Sequence, residues 1–187
     1  MRITGGEVKG RRLASFRGMN IRPTADRVRE AVFNIIGQDL AGLKVLDLFA
    51  GTGSMGLESL SRGARQAVFI DKSQQAINLI KKNIELCGYQ TSGITLKKSL
   101  DKVIPISYPL SGETFDLVFI DPPYRKNMVS FLLAELSLCE MLSPETLVVV
   151  ESFKTEILPP SIENLLMVMT RLYGDTRISI YRFEATQ

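Results

Sequence analysis

Signals for buried strands and for helices alternate along the middle of this 187-residue chain. Helical patterns run from Ser54 to Arg62, from Ser73 to Gly88 and from Met128 to Leu142. Apolar runs predict five strands, at Leu43–Ala50, Ala67–Asp71, Gly93–Lys97, Phe115–Ile120 and Thr146–Glu151. Alternating strands and helices form a mostly parallel sheet with helices on both of its faces, so the pattern predicts an α/β fold.

The two ends of the chain depart from this alternation. Residues 1–21 contain short β-like pieces and several glycines, which predict a small extension belonging to the same domain as residues 22–187. Thr24 is placed to cap a helix that ends at Gly37. Near the other end, two β-rich segments meet at Gly174 and Asp175 and predict an antiparallel hairpin, which brings the expected strands to seven.

Several classes of protein are disfavoured by what the sequence lacks. The chain has no histidine, the usual proton shuttle at neutral pH and the commonest metal ligand, so we expect no metal site and no serine-triad hydrolysis. Cys87 and Cys139 have no C-x-x-C spacing and are predicted to be reduced core thiols. No apolar run approaches the ~20 residues of a membrane span, and the first residues lack a signal-peptide core, so we expect a cytoplasmic location.

Positive charge is concentrated near the start of the chain. Residues 1–29 carry eight bases against two acids, a local net charge of +6, whereas the whole chain carries +3. The bases are Arg2, Lys9, Arg11, Arg12, Arg17, Arg22, Arg27 and Arg29. This asymmetry predicts a polyanionic partner that the protein meets at one end.

A glycine motif lies between the first predicted strand and the helix after it. In DLFAGTGSMG, Gly51, Gly53 and Gly56 have G-x-G-x-x-G spacing, and Asp71 ends the next strand twenty residues after Gly51. Such glycines let the backbone approach a ligand closely, and an acid at that distance can bind ribose hydroxyls. The motif therefore predicts a site for a nucleoside cofactor, with a tight turn and an ordinary strand-end acid as the alternative.

Asp47 bears on which cofactor this is. It precedes the first glycine by four residues, where an anion is unfavourable beside a pyrophosphate but suits the ammonium group of S-adenosylmethionine. The alternative is a strand residue whose carboxylate is satisfied by backbone amides.

The fourth predicted strand ends in Asp121-Pro122-Pro123-Tyr124. If strands one and four are neighbours, this corner faces the glycine loop. The Asp121 carboxylate and the Pro122 carbonyl then form two acceptors for an exocyclic NH2 group, and the Tyr124 ring can stack on a base. Accepting both N–H bonds returns the nitrogen lone pair to the amine and stabilises the charge that develops as a methyl group arrives.

These motifs resemble a known family. DPPY and DLFAGTGSMG look like the catalytic and first motifs of S-adenosylmethionine-dependent amino-methyltransferases. RPTADRVREAVFNII, preceded by KGRRL, is similar to bacterial 16S ribosomal RNA guanine-N2 methyltransferases, and the resemblance covers essentially the whole chain. It implies a Rossmann-like class I methyltransferase fold and a flipped guanine of 16S rRNA, free or in the small subunit, at Asp121–Tyr124.

The resemblance and the motifs together assign site residues. The catalytic set is Asp121, Pro122, Pro123 and Tyr124. The S-adenosylmethionine set is Asp47, Phe49, Gly51, Gly53, Asp71, Ser99, Arg22 and Thr24, of which Ser99 replaces the acid common at that position and leaves the adenine contact open. The RNA set is Lys9, Arg11, Arg12, Arg125 and Lys126; for each of them taken alone, a solvated surface charge is the simpler interpretation. The alternatives are an N6-adenine or glutamine-N5 methylase, an NAD-linked oxidoreductase, and a non-catalytic RNA-binding or assembly factor.

Overall fold

The structure is a computed structural model, which describes residues 1–16, 23–100, 110, 112–123 and 128–184, with the side chains of residues 23–25 excepted. These residues fall into two compact units, Met1–Lys97 and Lys98–Gln187. The helices are α1 (Pro23–Ile36), α2 (Ser54–Ser61), α3 (Gln74–Cys87) and α4 (Met128–Leu138). The strands are β1 (Lys44–Leu48), β2 (Gln66–Asp71), β3 (Gly93–Lys97), β4 (Phe115–Ile120), β5 (Leu142–Phe153), β6 (Ser161–Ile162), β7 (Leu165–Tyr173) and β8 (Thr176–Phe183).

The first unit is built on three parallel strands in the order β3-β2-β1. In this register Asp47 lies beside Phe69, and Asp71 lies beside Lys97. The strands β1 and β2 are nearly continuous apolar runs, as expected where both faces of a parallel sheet are covered. Because the carboxyl ends of parallel strands share one edge, the loops that follow β1 and β2 come together there.

Local sequence explains where α3 begins and ends. The Ser73 side chain accepts the backbone N–H of Ala76 at 3.3 Å and caps the first turn. Gly88 closes the helix in the left-handed conformation, with φ of 82°, which glycine adopts without strain. Both ends agree with the sequence prediction.

The N-terminal extension, residues 1–16, forms a small folded-back loop in the first unit. Arg2 and Arg12 form an antiparallel β-bridge, and the Ile3 N–H donates to the Arg11 carbonyl at 3.0 Å. The side chains of Ile3 and Leu13 are buried. The predicted β-like extension is therefore a folded part of this unit.

The second unit contains five strands in the order β4-β5-β8-β7-β6. β4 and β5 are parallel, whereas β8, β7 and β6 continue the order with antiparallel pairings. The predicted hairpin joined at Gly174 and Asp175 is β7–β8. On its other side β8 pairs with β5 from Leu147 to Phe153.

Four expectations need correction. α1 begins at Pro23, whose fixed φ suits a first helical position, so Thr24 lies inside the first turn rather than at the cap. α4 ends at Leu138 instead of Leu142, because β5 begins at Leu142. β5 is also longer than predicted. Eight strands are described instead of seven, since the two-residue β6 is too short to leave a periodic signal.

Two further observations concern the cysteines and the length of the helices. Both cysteines are free thiols in buried positions, as predicted, and burial raises the pKa of each. Among the described residues, no helix is long and apolar enough to cross a membrane.

Candidate functional site

The loop between β1 and α2 has an unusual backbone conformation. Phe49, Gly51 and Gly53 all have positive φ, of 61°, 56° and 77°. For Phe49 this conformation is strained, and such strain persists only where the surrounding structure enforces it. The Gly53 N–H donates to the Ala50 carbonyl at 2.7 Å and closes a tight turn at the start of α2.

Gly56 has a different role from the other two glycines of the motif. A Cβ atom built on Gly56 would lie 2.3 Å from Cε1 of Phe69 in β2. Phe69 is fully buried, so its ring is enclosed by neighbouring atoms and a methyl group on Gly56 would require α2 or β2 to shift. Gly56 therefore allows α2 to lie directly against the sheet, the role assigned to the third glycine of nucleotide-binding loops.

Asp47 is buried at the end of β1, with 4 % of its surface exposed. Its Oδ2 atom accepts the Gly56 N–H at 3.0 Å, which ties the strand to the first turn of α2. Burial raises the pKa of Asp47 to about 7; the bond from Gly56 lowers it and the charge of Asp71 raises it further. A cation bound beside this carboxyl group would lower its pKa again, so that it loses its proton and becomes negatively charged.

Asp71 lies next to the same loop. Its Oδ2 accepts the Gly51 N–H at 3.0 Å and its Oδ1 accepts the Ser73 N–H at 2.8 Å. A carboxylate has about four lone-pair positions, so both oxygens can still accept ribose hydroxyls. The structure brings together the predicted residues Asp47, Phe49, Gly51, Gly53 and Asp71 in the first unit.

The predicted catalytic corner belongs to the second unit. Asp121 and Pro123 are exposed directly after β4, and Pro122 between them is buried. Tyr124 lies outside the described residues. The expectation that this corner faces the glycine loop stays a prediction.

Of the other predicted cofactor residues, Ser99, Thr24 and Arg22, only Ser99 has a described side chain. Ser99 is exposed two residues after β3. Thr24 lies in the first turn of α1, and its side chain is outside the described part of the chain, as is Arg22. Their contact with the cofactor stays a prediction.

Three of the five predicted RNA-binding residues lie in the described part of the chain, and two do not. Lys9, Arg11 and Arg12 are exposed on the N-terminal extension, while Arg125 and Lys126 lie outside the described residues. One base of the charged segment is not available to a polyanion. Arg29 is only 2 % exposed and forms an ion pair with Glu58, so its inclusion in the basic surface was wrong.

The sequence reasoning missed a buried charged cluster centred on Glu58. This α2 carboxylate is completely buried between two arginines: Arg29 Nε lies 3.1 Å from its Oε2, and Arg62 Nη2 lies 2.8 Å from its Oε1. The Arg62 guanidinium also lies 4.7 Å from the ring centroid of Phe33. The spacing of Glu58 and Arg62 in a short helix of otherwise small and apolar residues is the signal that could have indicated this cluster.

Glu58 also holds the N-terminal extension. It accepts the backbone N–H groups of Thr4 at 2.9 Å and Gly5 at 2.7 Å, together with the Thr4 hydroxyl at 2.8 Å. Arg29 donates to the backbone carbonyl of Arg2. Because both carboxylate oxygens have several donors, the desolvation cost of burying this group is offset.

The fold and this loop define a class of protein. The α/β architecture with a terminal antiparallel hairpin, a glycine loop after β1 and an acid after β2 is that of the class I S-adenosylmethionine-dependent methyltransferases. The solved structure of "Putative methyltransferase yhhF" from Escherichia coli is similar over 100% of this chain and 99% of its own, with a TM-score of 0.84 and 30% identity. The solved structure of a hypothetical protein from Thermus thermophilus is similar over 99% of this chain and 99% of its own, with a TM-score of 0.78 and 26% identity.

The chain belongs to the family described as "Conserved hypothetical protein 95", whose model matches residues 1–182. It is 31% identical to "Ribosomal RNA small subunit methyltransferase D" of Haemophilus influenzae, over 97% of this chain and 93% of that protein. It is 32% identical to the protein of the same name from Escherichia coli K12, over 99% of this chain and 91% of that protein. The resemblance to small-subunit ribosomal RNA methyltransferases, inferred from the motifs, is confirmed.

The prediction that the cofactor is S-adenosylmethionine is also confirmed. These relatives are methyltransferases, and an RNA methyltransferase from Salinibacter ruber with the same fold was solved with S-adenosyl-L-homocysteine, the demethylated form of the cofactor. That structure has a TM-score of 0.63 and 17% identity and covers 88% of this chain and 95% of its own. S-adenosylmethionine is the cofactor, and the buried carboxyl of Asp47 and the free lone pairs of Asp71 fit its ammonium and ribose groups.

Proposed function

We propose that the protein transfers a methyl group from S-adenosylmethionine to the exocyclic N2 amine of a guanine in 16S ribosomal RNA. The observation that carries this proposal is the match of nearly the whole chain, basic extension and DPPY corner included, to a family whose relatives are named ribosomal RNA small subunit methyltransferases. The substrate is this RNA within the small subunit or an assembly intermediate of it.

In this proposal the first unit binds the cofactor. Asp47 accepts the ammonium group, because a buried carboxyl whose pKa is raised to about 7 is stabilised in its charged form by a neighbouring cation. Asp71 binds the ribose hydroxyls while continuing to hold the Gly51 N–H. Gly51 and Gly53 let the backbone approach the ligand closely, and Phe49 lies in the same loop. Arg22, Thr24 and Ser99 are proposed as further cofactor contacts on the family resemblance alone.

The corner after β4 binds the base. The Asp121 carboxylate and the Pro122 carbonyl accept the two N–H bonds of the guanine amine, and Tyr124 stacks on the flipped ring. Both acceptors stabilise the positive charge that develops on nitrogen during transfer, so that preorganised polar groups supply the catalysis. Pro123 keeps the corner rigid. The product ammonium is acidic enough to lose its proton to water, which suits a chain without histidine.

The N-terminal extension supplies phosphate contacts. Lys9, Arg11 and Arg12 are exposed on a short segment whose two ends are held by hydrogen bonds to the buried side chains of Glu58 and Asn83. Their charges suit the phosphates that flank a flipped nucleotide, as do those of Arg125 and Lys126 after the DPPY corner.

One experiment tests the proposal directly. The protein is incubated with methyl-labelled S-adenosylmethionine and small ribosomal subunits from cells that lack this modification, and the RNA is digested to nucleosides. We expect the label to co-migrate with N2-methylguanosine. Label in N6-methyladenosine would show that the target base is adenine and not guanine. Label in ribosomal protein would indicate a protein methylase, and no label would support a non-catalytic binding factor.

A further inference from the structure

Asn83 on α3 joins the N-terminal extension to the cofactor loop. The residue is completely buried. Its Oδ1 accepts the Ala14 N–H at 2.7 Å, and its Nδ2 donates to the Ala14 carbonyl at 3.1 Å and to the Thr52 carbonyl at 2.9 Å. Both N–H bonds of the amide are thereby used, so one side chain is bonded to two segments that are far apart in the sequence.

The bond to Thr52 fixes one peptide group of the glycine loop. The Thr52 carbonyl accepts from Asn83, and the N–H of the same peptide unit, on Gly53, donates to the Ala50 carbonyl at 2.7 Å. This peptide is held at both sides between two glycines with positive φ. The orientation of the loop therefore depends on Asn83.

The extension is attached on both sides of its exposed bases. Thr4 and Gly5 are bonded to Glu58 on α2, and the Ser61 hydroxyl at the end of that helix donates to the Gly5 carbonyl at 2.6 Å. Ala14 is bonded to Asn83 at the other side. Lys9, Arg11 and Arg12 lie between these two attachments, so a ligand that orders them acts on the helix and on the loop of the cofactor site.

We propose that Asn83 is a positioning residue that couples the RNA-binding extension to the cofactor loop. Cofactor bound at Gly51–Gly53 orders the Thr52 peptide, and through Asn83 it orders Ala14 and the segment before it. By thermodynamic reciprocity, a polyanion bound to that segment increases the affinity of the loop for the cofactor by the same factor. The second half of this inference rests on the proposed function, because it requires the extension to bind RNA.

Amide hydrogen exchange of the protein with and without saturating S-adenosylhomocysteine tests the first half without RNA. In the unaltered protein we expect slower exchange both in the loop, residues 47–57, and in the extension, residues 2–14, by about threefold or more in each. In Asn83→Asp, which keeps the acceptor for the Ala14 N–H but cannot donate to Thr52, the loop is still protected and the extension is not. Protection of the loop without the extension in the unaltered protein would overturn the inference.

Asn78→Asp is the matched control. Asn78 is exposed on the same helix, and its side chain bonds to that of Gln74 at 3.0 Å. The same chemical change there should leave the exchange pattern of the unaltered protein intact. If Asn83→Asp does not fold, the result for the unaltered protein decides alone. Transfer of protection to the extension in a folded Asn83→Asp would also overturn the inference.

Cofactor affinity measured with and without small-subunit ribosomal RNA tests the second half. We expect RNA to lower the Kd for S-adenosylhomocysteine about fivefold or more in the unaltered protein and in Asn78→Asp, and to leave it unchanged in Asn83→Asp. A chain that shows both couplings but does not methylate RNA would refute the proposed function and support the coupling. A protein that methylates the guanine of ribosomal RNA but shows no coupling in either experiment would support the proposed function and refute the coupling.

Discussion

The Gly56 N–H donates to the carboxylate of Asp47 at 3.0 Å, and this bond joins the end of β1 to the first turn of α2. It is a bond between a buried acid and a backbone amide, with the charge of Asp71 nearby. Burial opposes ionisation of Asp47 more strongly than the amide favours it, and the pKa of the acid is raised to about 7. The protonation of Asp47 therefore changes the negative charge that the cofactor ammonium meets.

Cofactor affinity should accordingly depend on pH. The cofactor ammonium favours the ionised form of Asp47, so below its pKa of about 7 a proton must leave before the full attraction is available. Affinity should rise by about tenfold between about pH 6 and pH 8 and then level off, with most of the rise below neutrality. Titration calorimetry with S-adenosylhomocysteine in buffers of different ionisation enthalpy also measures the proton released on binding.

Asp47→Asn is the control for that dependence. The variant keeps an oxygen for the Gly56 N–H and loses the charge, so its affinity should be about 10- to 100-fold lower and nearly independent of pH. If this variant retained the pH dependence of the unaltered protein, a different group would be responsible for it.

Gly56→Ala should destabilise the protein and weaken cofactor binding. The added methyl group would lie 2.3 Å from Cε1 of the buried Phe69, so α2 must move away from the sheet. Such overpacking costs about 1–3 kcal/mol in the free energy of unfolding, measured by denaturant titration.

The control for the steric cause is a second substitution. Phe69→Leu removes the ring atoms in question, so Gly56→Ala should cost less in the Phe69→Leu background than in the unaltered protein. Additive costs in this double-mutant cycle would show that the ring is not the obstacle.

Glu58→Gln should destabilise the first unit strongly. The substitution leaves Arg29 and Arg62, both buried, without the negative charge between them. Removing one partner of a buried ion pair costs about 3–5 kcal/mol, because the remaining charges stay desolvated. Chemical denaturation measures the loss, and Glu85→Gln on the exposed face of α3 should change the free energy by no more than about 0.5 kcal/mol. A similar small change for Glu58→Gln would mean that water reaches the arginines.

The distance in sequence between partners explains what could be predicted from the sequence. The glycine loop is a local feature, since a strand, a turn and a helix start fall within a few residues. Asp71 lies twenty residues from Gly51, but the strand–helix–strand motif fixes that spacing, and the structure has both as expected. The role of Glu58 could not be predicted because its partners, Thr4 and Arg29, lie 54 and 29 residues before it in the sequence and no motif fixes their spacing. For the same reason Arg29 was counted as a surface base, because net charge does not reveal which side chains are paired in the interior.

Asp121→Ala should lower turnover while leaving cofactor affinity nearly unchanged. In the proposed function this carboxylate accepts an N–H of the base and takes no part in holding the cofactor. Loss of one such preorganised partner lowers kcat by ~10²–10³-fold. Single-turnover methylation of small subunits measures the rate, and S-adenosylhomocysteine titration measures the affinity.

Asp175→Ala provides the comparison, because it removes an exposed carboxylate of the β7–β8 hairpin in the same unit. Its turnover should match that of the unaltered protein. Near-normal turnover in Asp121→Ala would remove that residue from the reaction, and loss of cofactor affinity would point to a structural role.

Replacing Lys9, Arg11 and Arg12 together by alanine should weaken RNA binding and reduce its sensitivity to salt. These side chains are exposed on the extension, so the substitutions should leave folding intact. Each phosphate contact on single-stranded RNA contributes about −0.7 to the slope of log K against log salt concentration, so loss of three contacts should lower the slope by about 2. Alanine at Arg65, Lys81 and Lys82, three exposed bases of the same unit, removes equal charge and should change the slope little. Equal effects of the two triple variants would indicate attraction by net charge alone, with no contribution from phosphates held at the extension.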